Sequence, residues 1–350
     1  MQGIAPGRVN LIGEHVDYNG GRCLPIALTR TTSATITLRD DSALNVVSGN
    51  RSWAGSYDAL SSVVGEDSWV LYIGGVLLAL GVEQGMVVEI TSDVPVGSGL
   101  SSSAALECSV AVAADTALGL GRSREELVAA CVRAEGETVG APTGGLDQTI
   151  ALYAEQAHAL LIDFATGSRE QVPFAPALRG LALLVINTRV SHALNDGGYG
   201  SRREECDEAA RRLGVDHLSQ AASGDGLPGP LDRRVRHVLS EVSRVDAFVD
   251  ALRADDWASL GQILDASHAS LRDDFEVSCE ELDVAVQAAR DAGALGARMT
   301  GGGFGGSAIA LVPSDAVEEV IGAVSAGFAA RGWQEPECFV AEAGPAAHVV

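Results

Sequence analysis

The sequence of 350 residues contains no lysine: all 24 basic residues are arginine, and 47 acidic residues bring the formal net charge to −23. A chain this acidic repels phosphate backbones, which argues against a nucleic-acid partner. The absence of lysine also excludes a Walker A loop, because that motif holds its phosphates with a lysine. Any phosphate-binding segment must therefore rely on other groups.

Long apolar runs and a cysteine framework are missing as well. Apolar runs such as Leu181–Ile186 are too short to span a bilayer, and the N-terminus shows no secretory signal. No two of the six cysteines lie close enough for a CxxC motif, and no histidine cluster accompanies them. Neither a thiolate metal site nor a disulfide framework is expected. We expect a cytoplasmic protein that does not contact a membrane.

Apolar patterns predict a mixture of strands and helices, in a chain long enough for two domains. Because these do not alternate as regular βαβα repeats, the pattern favours an α+β fold over a doubly wound sheet. We place the domain boundary near residues 164–169, which gives domains of residues 1–165 and 166–350. Strands are predicted at Ser33–Leu38, Met86–Thr91, Ala159–Asp163 and Leu181–Asn187, helices at Ser101–Leu118, Arg124–Val139, Ser201–Leu213, Arg233–Leu252 and Asp283–Ala292, and a surface loop at Ser223–Pro230.

Residues 95–105, PVGSGLSSSAA, form a segment that we call the serine loop, between a predicted strand and a predicted helix. Glycines let the backbone approach a ligand closely, and the start of the helix presents free N–H groups with a partial positive charge. Three consecutive serines add hydroxyls that can hold phosphate oxygens or Mg²⁺. The segment indicates a phosphate site, and an ordinary serine-capped helix after a glycine turn is the alternative.

Residues 300–306, TGGGFGG, contain a GxGxxG pattern and are called the glycine loop below. A dinucleotide site would need a helix after this pattern, whereas Ser307–Val312 reads as a strand. We therefore interpret the segment as a tight loop between strands, packed close to a ligand or to another backbone.

Residues 5–21, APGRVNLIGEHVDYNGG, place arginine, glutamate, histidine and aspartate within ten residues beside several glycines. This density of hydrogen-bonding side chains suits a polyhydroxylated ligand, since carboxylates accept from sugar hydroxyls and histidine can donate or accept. A polar surface turn is the alternative. It is weakened by Val9, Leu11 and Ile12, which are interleaved with the polar residues. We call residues 5–21 the sugar loop.

Together these segments resemble the kinase superfamily that includes galactokinase, homoserine kinase and mevalonate kinase. The serine loop and the glycine loop look like the second and third shared motifs, and the sugar loop resembles the galactokinase signature. Residues 133–135 with 144–148, 187–206 and 267–279 support the galactokinase branch. The resemblance extends from residue 5 to about residue 312. It departs from the family pattern at Val16, where threonine is usual.

The resemblance implies an N-terminal domain like ribosomal protein S5, a C-terminal ferredoxin-like domain, and an active site between them. It implies transfer of the γ-phosphate of ATP to the C1 hydroxyl of α-D-galactose, the first step of galactose catabolism. We expect a monomer. Alternatives are a kinase for N-acetylgalactosamine or arabinose and a non-catalytic galactose sensor. Sensors have altered serine loops, whereas Ser101–Ala105 is intact here, which favours the enzyme.

The resemblance also implies roles for individual residues. Asp147 matches the catalytic aspartate, and Arg8 matches the arginine that faces it, although the two could equally form a structural ion pair. Ser103 and Glu135 match Mg²⁺ ligands. Sugar contacts are expected from Glu14, His15, Val16, Asp17, Gly144 and Tyr199. Contacts with the triphosphate of ATP are expected from Gly97, Ser98, Gly99, Leu100, Ser101, Ser102 and Ser103. Ser48 and Trp69 are weaker candidates on the nucleotide side, and His268 is expected to serve structure.

Overall fold

The computed structural model describes residues 1–141, 143–191 and 198–350. Its first elements are β1 (Gln2–Asn10), β2 (Arg22–Cys23), β3 (Pro25–Leu38), β4 (Ala43–Ser48), β5 (Arg51–Ser56), α1 (Val70–Ala79), β6 (Met86–Ser92), α2 (Ser102–Leu118), α3 (Arg124–Arg133), α4 (Leu146–Tyr153) and β7 (His158–Asp163). The chain continues with β8 (Arg169–Pro173), β9 (Leu181–Ser191), α5 (Gly198–Leu213), α6 (Gly229–Arg253), α7 (Trp257–Asp273), α8 (Glu280–Asp291), β10 (Gly296–Thr300), β11 (Gly305–Pro313), α9 (Val317–Ala329), β12 (Glu337–Ala341) and β13 (His348–Val349).

The first sheet has the strand order β13-β1-β3-β6-β4-β5 and is antiparallel except for the pair β4–β6. Along β3 the apolar residues Ala34 and Ile36 are buried, as expected for alternate residues that share one face of a strand. Helix α2 packs against β1 and β3, and its first turn contains the last residues of the serine loop. The sugar loop, which continues from β1, and the serine loop, which leads into α2, therefore lie at the same end of this sheet.

The second sheet has the order β10-β11-β9-β12 and is antiparallel. The succession of β9, helices, β10, β11, α9 and β12 is the βαββαβ order of ferredoxin-like folds, which confirms that expectation. Helix α8 covers this sheet with Leu282, Ala285, Val286 and Ala289, whose spacing puts them on one helix face. The turn between β10 and β11 is the glycine loop, so the second sheet brings its own loop towards the first.

A third, small sheet joins the two halves of the chain. It has the order β2-β7-β8, and β7 pairs with β8 across the predicted boundary at residues 164–169. At the far end of the chain, β13 pairs with β1. The described strands therefore cross between residues 1–165 and 166–350 in two places, while the boundary itself stays a prediction.

Every strand predicted from the sequence lies within β3, β6, β7, β9 or β11, and most predicted helices match α2, α5, α6 and α8 to within a few residues. The prediction of a single helix at Arg124–Val139 was wrong in one respect. The α-helix ends at Arg133, and residues Ala134–Val139 form a π-helical segment. Wide helical turns of this kind are frequent at functional sites.

The predicted surface loop was wrong at its last two residues, Gly229 and Pro230, which begin α6. Proline is tolerated there because the first turn of a helix leaves its N–H groups unbonded. Among the described residues, no helix has both the length and the apolar character needed to cross a bilayer.

Candidate active site

The three loops singled out in the sequence meet at one place. The backbone N–H of Arg8, in the sugar loop, donates to the carbonyl of Leu100 in the serine loop at 3.1 Å. The hydroxyl of Ser307, next to the glycine loop, donates to the carbonyl of Ser98 at 2.7 Å. A Cβ atom at Gly301 would lie 2.9 Å from the carbonyl oxygen of Gly99, so the two glycine-rich loops touch backbone to backbone. This close backbone packing confirms the interpretation of the glycine loop.

Arg8 and Asp147 form a two-pronged ion pair. Arg8 Nε donates to Asp147 Oδ1 at 2.8 Å and Arg8 Nη2 donates to Asp147 Oδ2 at 3.0 Å, while Nη1 donates to the carbonyl of Gly99. Ser101 adds a third donor, because its hydroxyl lies 2.5 Å from Asp147 Oδ2. Asp147 sits in the first turn of α4, where the partial positive charge of the helix end favours a carboxylate.

The polar side chains of the sugar loop are anchored to the glycine loop. Glu14 Oε1 accepts from the backbone N–H of Gly301 at 2.7 Å and lies 3.3 Å from Arg298 Nη2. His15 Nδ1 lies 2.9 Å from the hydroxyl of Tyr18 and its Nε2 lies 3.2 Å from the carbonyl of Gly302. Burial lowers the pKa of His15 to about 3, with His237 contributing, so the ring is neutral.

Asp17, Gly144 and Tyr199 come together beside this anchor. A Cβ atom at Gly144 would lie 2.0 Å from Asp17 Oδ2, so only glycine leaves room for the carboxylate. Burial raises the pKa of Asp17 to about 6, and the charges of Asp147 and Glu14 add to that rise. The ring of Tyr199 lies 5.4 Å from that of His15. The remaining expected sugar residue, Val16, points elsewhere, since its side chain is fully buried in the hydrophobic core.

Ser103 and Glu135, the residues expected to bind Mg²⁺, also lie together. The Ser103 side chain lies beside Glu135, which stands in the π-helical segment after α3. A carboxylate and a hydroxyl suit the oxygen-only coordination of Mg²⁺. Within the described residues no three His, Cys, Asp or Glu side chains cluster to hold a metal ion, so phosphate oxygens and water would have to supply the other ligands.

Two residues next to this pair were missed in the sequence. Gln148 Nε2 donates to Glu135 Oε2 at 2.6 Å and to Glu107 Oε2 at 2.9 Å. Burial raises the pKa of both Glu107 and Glu135, and for Glu107 the neighbouring Glu135 charge adds to the rise. One feature of the sequence could have indicated this cluster: Glu107 is a glutamate within the apolar stretch of a predicted helix.

The serine loop begins α2 as expected. Gly97 and Gly99 have φ values of +74° and +73°, which glycine adopts without strain, and the hydroxyl of Ser98 donates to the carbonyl of Pro95. Ser101 precedes the helix, Ser102 and Ser103 form its first turn, and the side chain of Leu100 is buried in the core. Free N–H groups at a helix start favour a bound anion, so this position suits phosphate.

Ser48 and Trp69 lie apart from the Arg8–Asp147 pair. They lie beside a different cavity, of about 520 Å³, which is lined by Arg51, Glu66, Ser68 and Trp69. Ser48 pairs with Arg51 across the β4–β5 hairpin, and Arg51 stacks over the Trp69 ring at 5.0 Å. His268 is buried in α7 and bonds to the backbone N–H of Met299 and to Asp283, as a structural residue does.

Comparison with known proteins agrees with this geometry. Three family models match: GHMP kinases N terminal domain at residues 71–155, GHMP kinases C terminal at residues 248–330, and galactokinase galactose-binding signature at residues 3–38. Mevalonate kinase from Methanococcus jannaschii shares the fold, with a TM-score of 0.72, 18% identity and coverage of 98% of each chain. These results define the class as GHMP kinases.

Nearer relatives narrow the assignment. Galactokinase from Streptomyces coelicolor is 45% identical over 98% of this chain and 92% of its own length, and galactokinase from Mycobacterium tuberculosis is 43% identical over 98% and 97%. The structure of Lactococcus lactis galactokinase complexed with galactose has a TM-score of 0.94 and 34% identity, and covers 100% of this chain and 95% of that one. The chain belongs to the galactokinase family of the GHMP kinases.

Proposed function

We propose that this enzyme transfers the γ-phosphoryl group of ATP to the C1 hydroxyl of α-D-galactose, forming galactose 1-phosphate and ADP. The observation that carries the proposal is the Arg8–Asp147 pair, which stands where the sugar loop meets the serine loop. One loop carries the sugar-type side chains and the other a helix start suited to phosphate, so the pair lies between the two substrates.

Asp147 is the group that we assign to the sugar hydroxyl. The C1 oxygen attacks the γ-phosphorus, the bond to the ADP oxygen breaks, and Asp147 accepts the hydroxyl proton. Hydrogen bonds from Arg8 to both carboxylate oxygens fix the orientation of the group that takes up this proton. Arg8 also stabilises charge that develops on the transferred group, so positioning and electrostatics supply most of the rate.

The serine loop is assigned to the triphosphate, with Gly97 to Ser103 around the phosphates and the start of α2 facing their negative charge. Ser103 and Glu135 are the residues that would hold Mg²⁺, which would offset the negative charge of the phosphates. Ser48 and Trp69 are assigned to the nucleoside side, beside the cavity at Arg51.

Asp17 is assigned to the C3 and C4 hydroxyls of galactose, with Gly144 and Tyr199 beside it, and Glu14 and His15 to the C6 end. Glucose has its C4 hydroxyl in the equatorial position and would leave the Asp17 carboxylate buried and unpaired. That loss costs about 1–3 kcal/mol, or roughly 5- to 150-fold in kcat/KM.

The experiment is a coupled assay of ADP release across galactose, glucose, N-acetylgalactosamine and arabinose. Galactose should be turned over at the highest kcat/KM. Preference for either of the last two sugars would support a related kinase, and galactose binding without ADP release would support a sensor. Sedimentation of the same sample tests the proposal that the chain acts as a monomer; its cytoplasmic location is likewise part of the proposal.

A further inference from the structure

Three side chains next to Ser103 are linked to one another by hydrogen bonds: Glu107 on α2, Gln148 on α4 and Glu135 on the π-helical segment. We call these three residues the carboxamide bridge. Gln148 Nε2 has two N–H groups, and each reaches a different carboxylate, Glu107 Oε2 at 2.9 Å and Glu135 Oε2 at 2.6 Å. Glu107 and Gln148 are 0% exposed and Glu135 is 9% exposed. The bridge thus runs from the core to the edge of the active site.

The inner end of the bridge is costly for the fold. Glu107 lies among the buried Ala, Val and Cys residues of α2, and within the described part of the chain no arginine or histidine pairs with it. Its second oxygen, Oε1, is buried and has no hydrogen-bond partner there either. Because an apolar side chain would avoid the penalty of burying a carboxyl group, stability does not explain this residue. The hydrogen bond that Glu107 accepts from Gln148 is therefore the reason we consider for a glutamate at this position.

The outer end of the bridge is Glu135, whose side-chain orientation depends on its neighbours. Glu135 lies in a π-helical turn, Ala134–Val139, which is held against α1 by close contact at Gly75. The Gln148 amide donates to its carboxylate at 2.6 Å, and the Ser103 side chain lies beside that carboxylate. Gln148 directly follows Asp147, so the same first turn of α4 positions the catalytic carboxylate and the bridge.

We propose that Glu107 and Gln148 are positioning residues that hold the Glu135 carboxylate in the orientation in which it binds the Mg²⁺ of the nucleotide complex. Glu107 fixes the amide of Gln148, and that amide occupies Glu135 Oε2, which turns the rest of the carboxylate towards Ser103. The proposal rests on the Mg²⁺ site of the proposed function. Residues that orient a metal ligand in this way contribute about 10- to 100-fold to metal affinity.

The test is calorimetric titration of ADP into the full chain at a series of Mg²⁺ concentrations, without sugar, for wild type and four variants. Glu107→Met and Gln148→Met keep the side-chain length but remove the hydrogen bond, and each should raise the Mg²⁺ concentration needed for tight ADP binding by about 10- to 100-fold. Glu107→Gln should stay close to wild type, because its amide oxygen still accepts from Gln148. Glu137→Met, an exposed residue of the same π-helical segment, is the matched control.

Galactose affinity and thermal midpoint separate positioning from general damage. If the bridge positions Glu135, Glu107→Met keeps the galactose affinity of wild type and does not lower Tm, while its Mg²⁺ requirement rises. A Mg²⁺ requirement equal to that of wild type, or equal losses in Glu107→Met and Glu107→Gln, would overturn the proposal. If the ADP affinity of wild type does not depend on Mg²⁺ concentration, both the metal site and the positioning proposal are wrong. If that affinity depends on Mg²⁺ but wild type releases no ADP with any sugar, only the proposed function is wrong.

Discussion

At the scale of single residues, the site contains two carboxylates in different surroundings. Asp147 accepts hydrogen bonds from Arg8 and Ser101. Asp17 is buried, and burial raises its pKa to about 6, with the charges of Asp147 and Glu14 adding to the rise. We propose different tasks for the two aspartates, Asp147 as the proton acceptor and Asp17 as a partner for sugar hydroxyls.

Replacing Asp147 with Asn should remove the proton acceptor while keeping the shape of the site. We expect Asp147→Asn to lower kcat by about 10²- to 10⁴-fold, the usual contribution of a general base, with little change in galactose affinity. Steady-state kinetics and galactose calorimetry measure the two effects. Asp273→Asn is the matched control, because it breaks an arginine–aspartate pair of the same two-pronged geometry, with Arg272, on the exposed surface. A near-normal kcat in Asp147→Asn would rule out its assigned role.

Replacing Asp17 with Asn should stabilise the free enzyme and weaken galactose binding. Its pKa rises from 3.8 to about 6 on folding, so its contribution to stability is complete below about pH 4 and is lost as the pH rises through 6. At pH 7.5 the variant should gain up to about 3 kcal/mol over wild type, a gain that disappears near pH 4.

Urea unfolding at pH 4 and pH 7.5 measures this difference for Asp17→Asn, with the exposed Asp315→Asn as control. A stability gain that is the same at both pH values would show that ionisation of Asp17 is not its cause. Unchanged galactose affinity in the variant would remove Asp17 from the sugar site.

At the scale of elements, the site depends on the contact between the serine loop and the glycine loop. Gly301 has a φ of +85°, and a Cβ there would meet the carbonyl of Gly99 at 2.9 Å. Gly302, the next residue, has ordinary backbone geometry, and its Cβ would meet nothing nearer than the Tyr199 ring at 3.5 Å. Adjacent glycines in one loop therefore have different structural requirements.

Gly301→Ala should destabilise the protein by about 1–3 kcal/mol, because it combines an unfavourable φ with a backbone clash. It should also reduce activity, since the serine loop would be displaced from Arg8. Gly302→Ala is the matched control and should unfold like wild type in urea. Equal unfolding midpoints for the two variants would contradict the described packing of the loops.

At the scale of the whole molecule, residues from the C-terminal part of the chain hold the sugar loop in place. Glu241 on α6 is fully buried, and its Oε1 accepts from the backbone N–H of Gly13 at 3.0 Å and from Ser267 Oγ at 2.8 Å. Arg298 on β10 donates to the carbonyls of Asn10 and Leu11. The sugar loop is thus shaped by residues more than two hundred positions away.

Glu241→Gln should destabilise the protein, because it leaves Arg244 without its buried partner. Burial opposes ionisation of Glu241, but Arg244 and His237 lower its pKa to about 2, so its stabilising charge is lost only as the pH falls from about 4.5 towards 2. At pH 7 we expect a loss of about 3–5 kcal/mol in urea unfolding, against no change in the exposed Glu318→Gln. A loss below 1 kcal/mol would show that the charge is not required.

Much of this protein could be predicted from the sequence, because part of its chemistry is encoded in contiguous residues. The serine loop shows glycines, hydroxyls and a helix start within eleven positions, and each acts through local backbone geometry. The sugar loop and the glycine loop are equally local, the serines before α2 mark the start of that helix, and apolar patterns predicted α5, α6 and α8. Helix α1 was missed because it is only ten residues long, contains two glycines and begins without a capping side chain.

Sequence alone therefore determined the chemical groups of the site and the family that carries them, while only the tertiary structure decided their partners. The contact of Gly144 with Asp17, the bond of Glu241 to Gly13 and the carboxamide bridge each join residues from separate elements. Such pairings depend on how sheets and helices pack and on which way each buried side chain points. No local pattern encodes them, because hydrogen bonds between distant segments form only once the apolar core has brought those segments together.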